Sequence, residues 1–206
     1  MIKMIAIIDY GMGNIHSVKK ALEKFGAQAV VADNARTLLD ADKAILPGVG
    51  AFDDAIRSMD KNGMTKAMLD FVKSGRPFLG ICLGMQILFE KSQEASSTKG
   101  LGLLKGKVIR FPKKKGFKVP QMGWNQLDIA NNDCPLLKGV NDKSYVYFCH
   151  SYYPVPAEKR VSAATTSYAA KFTSVAWLDN VYGVQFHPEK SQDTGLRMIE
   201  NFINLC

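Results

Sequence analysis

Gly80-Ile81-Cys82-Leu83-Gly84 is the stretch of this sequence richest in chemistry. It is the cysteine version of Gly-x-Ser-x-Gly, a pattern that sets a nucleophile on a sharp turn between a buried strand and a helix. The apolar run 77–81 supplies the strand and residues 85–91 supply the helix. A sulfur on such a turn projects from the sheet edge at a helix N-terminus, where partial positive charge favours its anion. The same residues also fit a small buried thiol whose glycines serve packing. A thiol attacking an amide needs a base that later protonates the leaving nitrogen, and the chain offers His16, His150 and His187. His187 ends the strand-like Val184-Gln185-Phe186 and leads into Pro188-Glu189, so a carboxylate two residues on can orient and stabilise the ring. His16 falls inside a helical stretch, in a surface or capping position; His150 reads equally as pocket wall or satisfied core residue. Cys82, His187 and Glu189 are therefore the candidate triad. Cys134, Cys149 and Cys206 have no comparable setting and read as structural.

Attack on a carboxamide creates an oxyanion, which preorganised backbone N–H groups stabilise. Pro47-Gly48-Val49-Gly50 follows a buried strand, and its glycines permit backbone orientations that could aim the Val49 or Gly50 N–H, with the Leu83 N–H as second donor. Gly11-Met12-Gly13-Asn14 also lies between strand and helix. His16, however, stands where the third glycine of a dinucleotide fingerprint belongs, which argues against NAD.

These residues need a scaffold, and hydrophobic periodicity supplies one. Ile5–Asp9 reads as a strand, and Ile15, Val18, Leu22 and Phe25 as the apolar face of a helix stopped at Gly26. Strands at 28–32, 43–46 and 77–81 and helices begun by Phe52, Ile56 and Met59 and running from Met64 to Lys73 repeat the alternation, which implies a parallel sheet. Past residue 100 come short strands at 107–111, 145–149, 161–165, 174–178 and 181–186, an antiparallel or mixed extension of that sheet. A last helix carries Leu196, Ile199, Ile203 and Cys206 after Ser191 or Asp193 as cap.

The chain has 206 residues, 47% hydrophobic and 22% charged, enough for one ordinary domain over 1–206 with a full core. No apolar run approaches the roughly 18 residues of a membrane-spanning helix, the start carries no signal-type cleavage region, and four cysteines form neither a disulfide framework nor a zinc pattern. The expectation is a cytoplasmic protein without metal, cofactor or membrane contact. The balance of 27 Lys+Arg against 19 Asp+Glu, net +8, suits an acidic protein partner or an anionic substrate better than nucleic acid, and Lys113–Lys118 reads as a solvated loop.

Pro47-Gly48-Val49-Gly50-Ala51-Phe52, Gly80 to Gln86 and Gln185-Phe186-His187-Pro188-Glu189-Lys190 together resemble the class I (triad-type) glutamine amidotransferases in order and spacing. Asp9 to Asn14, Pro120-Gln121-Met122-Gly123-Trp124-Asn125 and Tyr147 to Tyr152 narrow the resemblance to the glutaminase subunits of imidazole glycerol phosphate synthases. It covers essentially the whole chain. It implies a flavodoxin-like α/β amidotransferase fold with a mostly parallel central sheet. It also implies hydrolysis of glutamine through a Cys82 thioester, and ammonia passed within a heterodimer to a (β/α)8-barrel cyclase subunit of histidine biosynthesis. By the same resemblance Gly50, Gln86, Ser151 and Tyr152 contact glutamine. The partner-facing surface includes Asn14, Met122, Trp124, Asn125 and Lys190, although Trp124 also reads as a core residue. Two other readings are an amidotransferase feeding a different acceptor, such as a surface-polysaccharide sugar, and a non-catalytic flavodoxin-like binding or redox-sensor module. The intact His187-Pro188-Glu189 speaks against the last.

Overall fold

A computed structural model describes residues 3–206. In chain order the elements are β1 (Met4–Ile8), α1 (Ile15–Glu23), β2 (Gln28–Ala32), α2 (Ala35–Leu39), β3 (Lys43–Gly48), α3 (Phe52–Lys61), α4 (Met64–Lys73), β4 (Phe78–Cys82) and α5 (Leu83–Ile87). There follow β5 (Phe89–Ser92), β6 (Leu104–Arg110), β7 (Gln121–Gln126), β8 (Asp128–Ile129), β9 (Tyr145–His150), β10 (Tyr152–Pro156), β11 (Ser162–Ser167), β12 (Lys171–Leu178), β13 (Val181–Val184) and α6 (Gln192–Asn204).

The central sheet has eight strands in the order β2-β1-β3-β4-β13-β12-β11-β8. The first five pair in parallel and the last three antiparallel. Its strands are apolar on both faces because both are covered. On one face Ile5, Ile7, Ile45, Leu79 and Ile81 pack with Val18 and Leu22 of α1 and Met198, Ile199 and Phe202 of α6. On the other, Ala6, Ile8, Leu46 and Phe78 pack with Phe52, Ile56, Met68 and Phe71 of α3 and α4. Among the described residues no helix is long and apolar enough to cross a membrane.

Two sequence expectations need correction and a third needs refining. The helix after Cys82 ends at Ile87, because Phe89–Ser92 leaves the helical path to pair with β6. The strands around 107–111 and 145–149 do not extend the central sheet: β6 joins β10 and β5 in a three-stranded sheet, and β9 pairs with β7 in a two-stranded ribbon. Ser191 is the N-cap of α6, its carbonyl accepting the Gly195 N–H at 3.1 Å, but its side chain caps no helix N–H; the hydroxyl donates to the His187 carbonyl at 2.6 Å and accepts from the Tyr147 N–H at 3.0 Å.

Glycine matters most where α5 meets the sheet. A Cβ on Gly84 would lie 1.9 Å from the Leu46 carbonyl oxygen, and one on Gly80 would lie 2.6 Å from the Gly84 oxygen. Gly26, by contrast, ends α1 at φ +73 with open space around it, so only its backbone conformation calls for glycine. Gly84→Ala should therefore cost about 3 kcal/mol or more through forced movement of packed backbone. Gly26→Ala should cost about 1 kcal/mol. Denaturant unfolding of the two variants measures the difference, and equal effects would refute the packing account.

Candidate active site

Cys82 closes β4 with φ 56 and ψ −111, a conformation that L-residues other than glycine rarely hold. The flanking glycines do not share it. They are there so that α5 can lie directly on β3 and β4, and the reversal this forces falls on the cysteine. The side chain is thereby thrown out of the strand into a cavity of about 310 Å³. Of the residues expected at the site, Val49, Gly50, Cys82, Leu83, Gln86, Ser151, Tyr152, His187 and Lys190 all line that cavity.

His187 arrives just after β13, the strand next to β4. The sequence predicts that strand alternation sets the ring, but β13 ends at Val184 and the ring is set instead by a 3-10 turn over Pro188–Lys190. The His187 N–H donates to the Tyr147 carbonyl at 3.0 Å, which ties the turn to β9. Its Nδ1 meets Glu189 Oε1 at 2.9 Å, and the Glu189 side chain is almost fully buried behind it. This leaves Nε2 to face the cavity. Burial alone would discharge the ring, but the negative charge of the nearby Cys82 sulfur, with the hydrogen bond and charge of Glu189, outweighs it and pushes its pKa up to about 10. No Cys82–imidazole bond of good geometry is present among the described residues; the thiol donates instead to the Cys149 carbonyl at 3.8 Å.

The oxyanion candidates sit on the same wall. Gly48 pairs with Cys82 across β3 and β4, and a Cβ there would strike Gly84 N at 2.7 Å and the Tyr10 hydroxyl at 2.8 Å. That contact seats the loop against the elbow, and Gly50 beyond it has φ +92. Gly13 packs against Pro47, where a Cβ would come within 3.3 Å of its carbonyl, so the Gly11–Gly13 turn buttresses this loop.

Gln86 is buried, not solvated. Its amide nitrogen donates to the Tyr152 carbonyl at 2.9 Å and to Gln185 Oε1 at 3.1 Å, leaving its own oxygen as a free acceptor. Glu94, unnoticed in sequence, is among the described residues the one acidic side chain on the cavity wall, while Lys190 lines it as a cation. Glu94 accepts from the Phe52 N–H at 3.1 Å, and its pKa is raised by burial and by Asp53 and Asp54. Its loop is pinned by Ser96 and Thr98 donating to Asp53. A carboxylate and a cation on one wall suit the two charges of an α-amino acid. Among the described residues no cluster of three His, Cys, Asp or Glu side chains suits a metal.

Of the expected partner-facing residues, Met122 is 66% and Trp124 47% exposed, with Tyr145 beside them at 54%, so Trp124 is no core residue. Lys190 is exposed. Asn14 and Asn125 are half-buried and engaged, Asn14 donating to Glu189 Oε1 at 3.3 Å and Asn125 to the Ser167 carbonyl at 2.9 Å. His16 is exposed on α1, and the Lys113–Lys118 run is loop, with Lys114 over the Phe117 ring.

The sequence profile described as Glutamine amidotransferase class-I matches residues 6–205. The chain belongs to the class I glutamine amidotransferases. It is 50% identical to the imidazole glycerol phosphate synthase subunit HisH of Syntrophotalea carbinolica, covering 97% of this chain and 98% of that one. It is 48% identical to the same subunit of Geobacter sulfurreducens, covering 96% and 97%. Among solved structures it resembles a chain of PurLQS from Thermotoga maritima, with TM-score 0.77, 20% identity and 98% of each chain covered. A glutamine amidotransferase from the same organism superposes with TM-score 0.68, 16% identity and coverage of 98% and 83%. These two share the fold.

The two buried histidines of this amidotransferase give its stability opposite pH dependences. His187, raised to about 10, contributes stability that is complete below about pH 6.5 and is lost as pH rises through about 10. His150 is held neutral by burial, its pKa pushed down to about 4, so the unfolded chain gains a proton first and stability falls as pH drops from about 6.5 to about 4. Glu189→Gln should flatten the alkaline limb and His150→Phe the acid limb, each by up to about 1.4 kcal/mol per pH unit. Unfolding free energies at pH 4.5, 6.5 and 9 check this, and parallel curves for parent and variants would contradict it.

Proposed function

We propose that this chain is the glutaminase subunit of an imidazole glycerol phosphate synthase, with Cys82 as nucleophile, His187 as proton shuttle and Glu189 as its orienting partner. The supporting observation is a strained cysteine at the floor of a cavity walled by a histidine that is locked, through its far nitrogen, to a buried carboxylate. In this reading glutamine enters with its α-ammonium toward Glu94 and the Gln86 oxygen, and its carboxylate toward Lys190 and the Ser151-Tyr152 backbone. Cys82 and His187 share one proton: it leaves the sulfur for Nε2 of the ring, where the sulfur anion and Glu189 hold it, and the sulfur anion bonds to the side-chain carbonyl carbon. The Leu83 N–H and a donor from Val49 or Gly50 hold the oxyanion. His187 returns the proton to the departing nitrogen, ammonia leaves, and water activated by the same ring hydrolyses the thioester to glutamate and Cys82.

Ammonia free in water protonates and loses its nucleophilicity, so a partner must cover the site. The relatives' description as a synthase subunit supports a second chain; we assign it to a (β/α)8-barrel cyclase that uses the ammonia to form imidazole glycerol phosphate. The β7/β9 ribbon fits that contact. It carries Met122, Trp124 and Tyr145 outward, while Tyr147 and Cys149 of the same ribbon reach the cavity. The surplus positive charge favours an acidic partner face.

Cys82→Ala should abolish glutamate release from the complex without preventing assembly; release at the parent rate would remove Cys82 as nucleophile. Trp124→Ala should weaken binding to the cyclase by roughly ten-fold or more, read by titration. An unchanged Kd would take Trp124 out of the interface.

A further inference from the structure

We infer that Gln185 is a positioning residue for the nucleophile: its side-chain amide donates to Cys82 Sγ, and Gln86 fixes which way that amide faces. The inference rests on Cys82 being the nucleophile. Parallel pairing of β4 with β13 sets Gly183 beside Gly80 and Val184 beside Ile81, so one step further brings Gln185 alongside Cys82. Its backbone N–H extends the antiparallel ladder to the Ser174 carbonyl at 2.9 Å, and the side chain is fully buried.

The direction of the amide follows from one backbone carbonyl. The Tyr152 carbonyl can only accept, so the Gln86 nitrogen must face it at 2.9 Å, and the proton of His150 must sit on Nδ1, 2.8 Å from the same oxygen. The second N–H of Gln86 then points to Gln185 Oε1 at 3.1 Å. With its oxygen so engaged, Gln185 turns its nitrogen toward Sγ at 3.8 Å.

Two contacts of equal length thus grip the sulfur and prefer opposite protonation states. The Cys149 carbonyl, at 3.8 Å, accepts from the thiol; the Gln185 amide donates to the anion. As the S–H bond breaks and the proton moves to His187 Nε2, the first contact weakens and the second strengthens. The anion gains a donor that carries no charge and competes for no proton. Gln185 thereby keeps the sulfur beside the cavity through the transfer.

The test is the pH profile of Cys82 alkylation by iodoacetamide, followed on the Cys82 peptide by mass, with steady-state glutamate release by the assembled complex. Gln185→Met removes the donor at similar volume. Gln185→Glu keeps an acceptor for Gln86 but replaces the donor with negative charge. The alkylation midpoint should rise by about one pH unit in the first and further in the second. The turnover number should fall on the order of ten-fold while KM stays within about two-fold. Parent-like alkylation profiles and turnover in both variants would overturn the inference, and so would variants that are merely less stable with the profile unmoved. Failure of the underlying reading is distinct: it would show as glutamate release by Cys82→Ala, whatever the Gln185 profiles do.

Discussion

The structure depends on how closely the first turn of α5 lies against β3, β4 and β13. A Cβ on Gly84 would fall 1.9 Å from the Leu46 carbonyl oxygen, one on Gly80 would fall 2.6 Å from the Gly84 oxygen, and one on Gly183 would fall 2.7 Å from Met85 Cγ. With no side chain between helix and sheet, the chain must reverse within one residue as β4 ends. That residue is Cys82, held at φ 56 at a cost on the order of 1–2 kcal/mol. The fully buried strands on either side hold the conformation in place. A sulfur oriented into the cavity is thus a consequence of backbone packing.

The other half of the site is delivered by the seam between β4 and β13, where the parallel part of the sheet gives way to the antiparallel part. Residues about a hundred positions apart become neighbours there: Gln185 reaches Cys82, and His187 follows one short turn later. β9 steadies that turn through the Tyr147 carbonyl and the Ser191 hydroxyl. It also presents Tyr147 and Cys149 to the cavity. The strand pair that carries the exposed Trp124 and Tyr145 therefore shares a backbone with the cavity wall.

Much of this was legible in the sequence because the signals were local. The strands at 28–32 and 43–46, the helix at 64–73, the cysteine elbow and the His-Pro-Glu turn each declare themselves within a dozen residues. The failures have a common physical origin in contacts made far along the chain. Phe89–Ser92 continues an apolar helical pattern, and only pairing with β6 makes it a strand. β10 contains Pro154 and Pro156, which look like strand breakers and are tolerated at an edge, where β6 is the sole neighbour. Nothing near Gln86, Glu94 or Gln185 separates them from solvated polar residues. Their burial and partners come from a fold that joins α5, the loop after β5 and the end of β13 around one cavity.

The central claim is that Cys82 forms the covalent bond to the glutamine side-chain carbon. A glutamine-analogue affinity reagent with an electrophile at the position of the side-chain amide, applied to the assembled enzyme and mapped by peptide mass spectrometry, tests it most directly. The account predicts one adduct per chain, on Cys82, suppressed by excess glutamine, formed more slowly after Glu189→Gln and absent after Cys82→Ala removes the sulfur. A glutamine-protected adduct on Cys149, or on any residue other than Cys82, would contradict it.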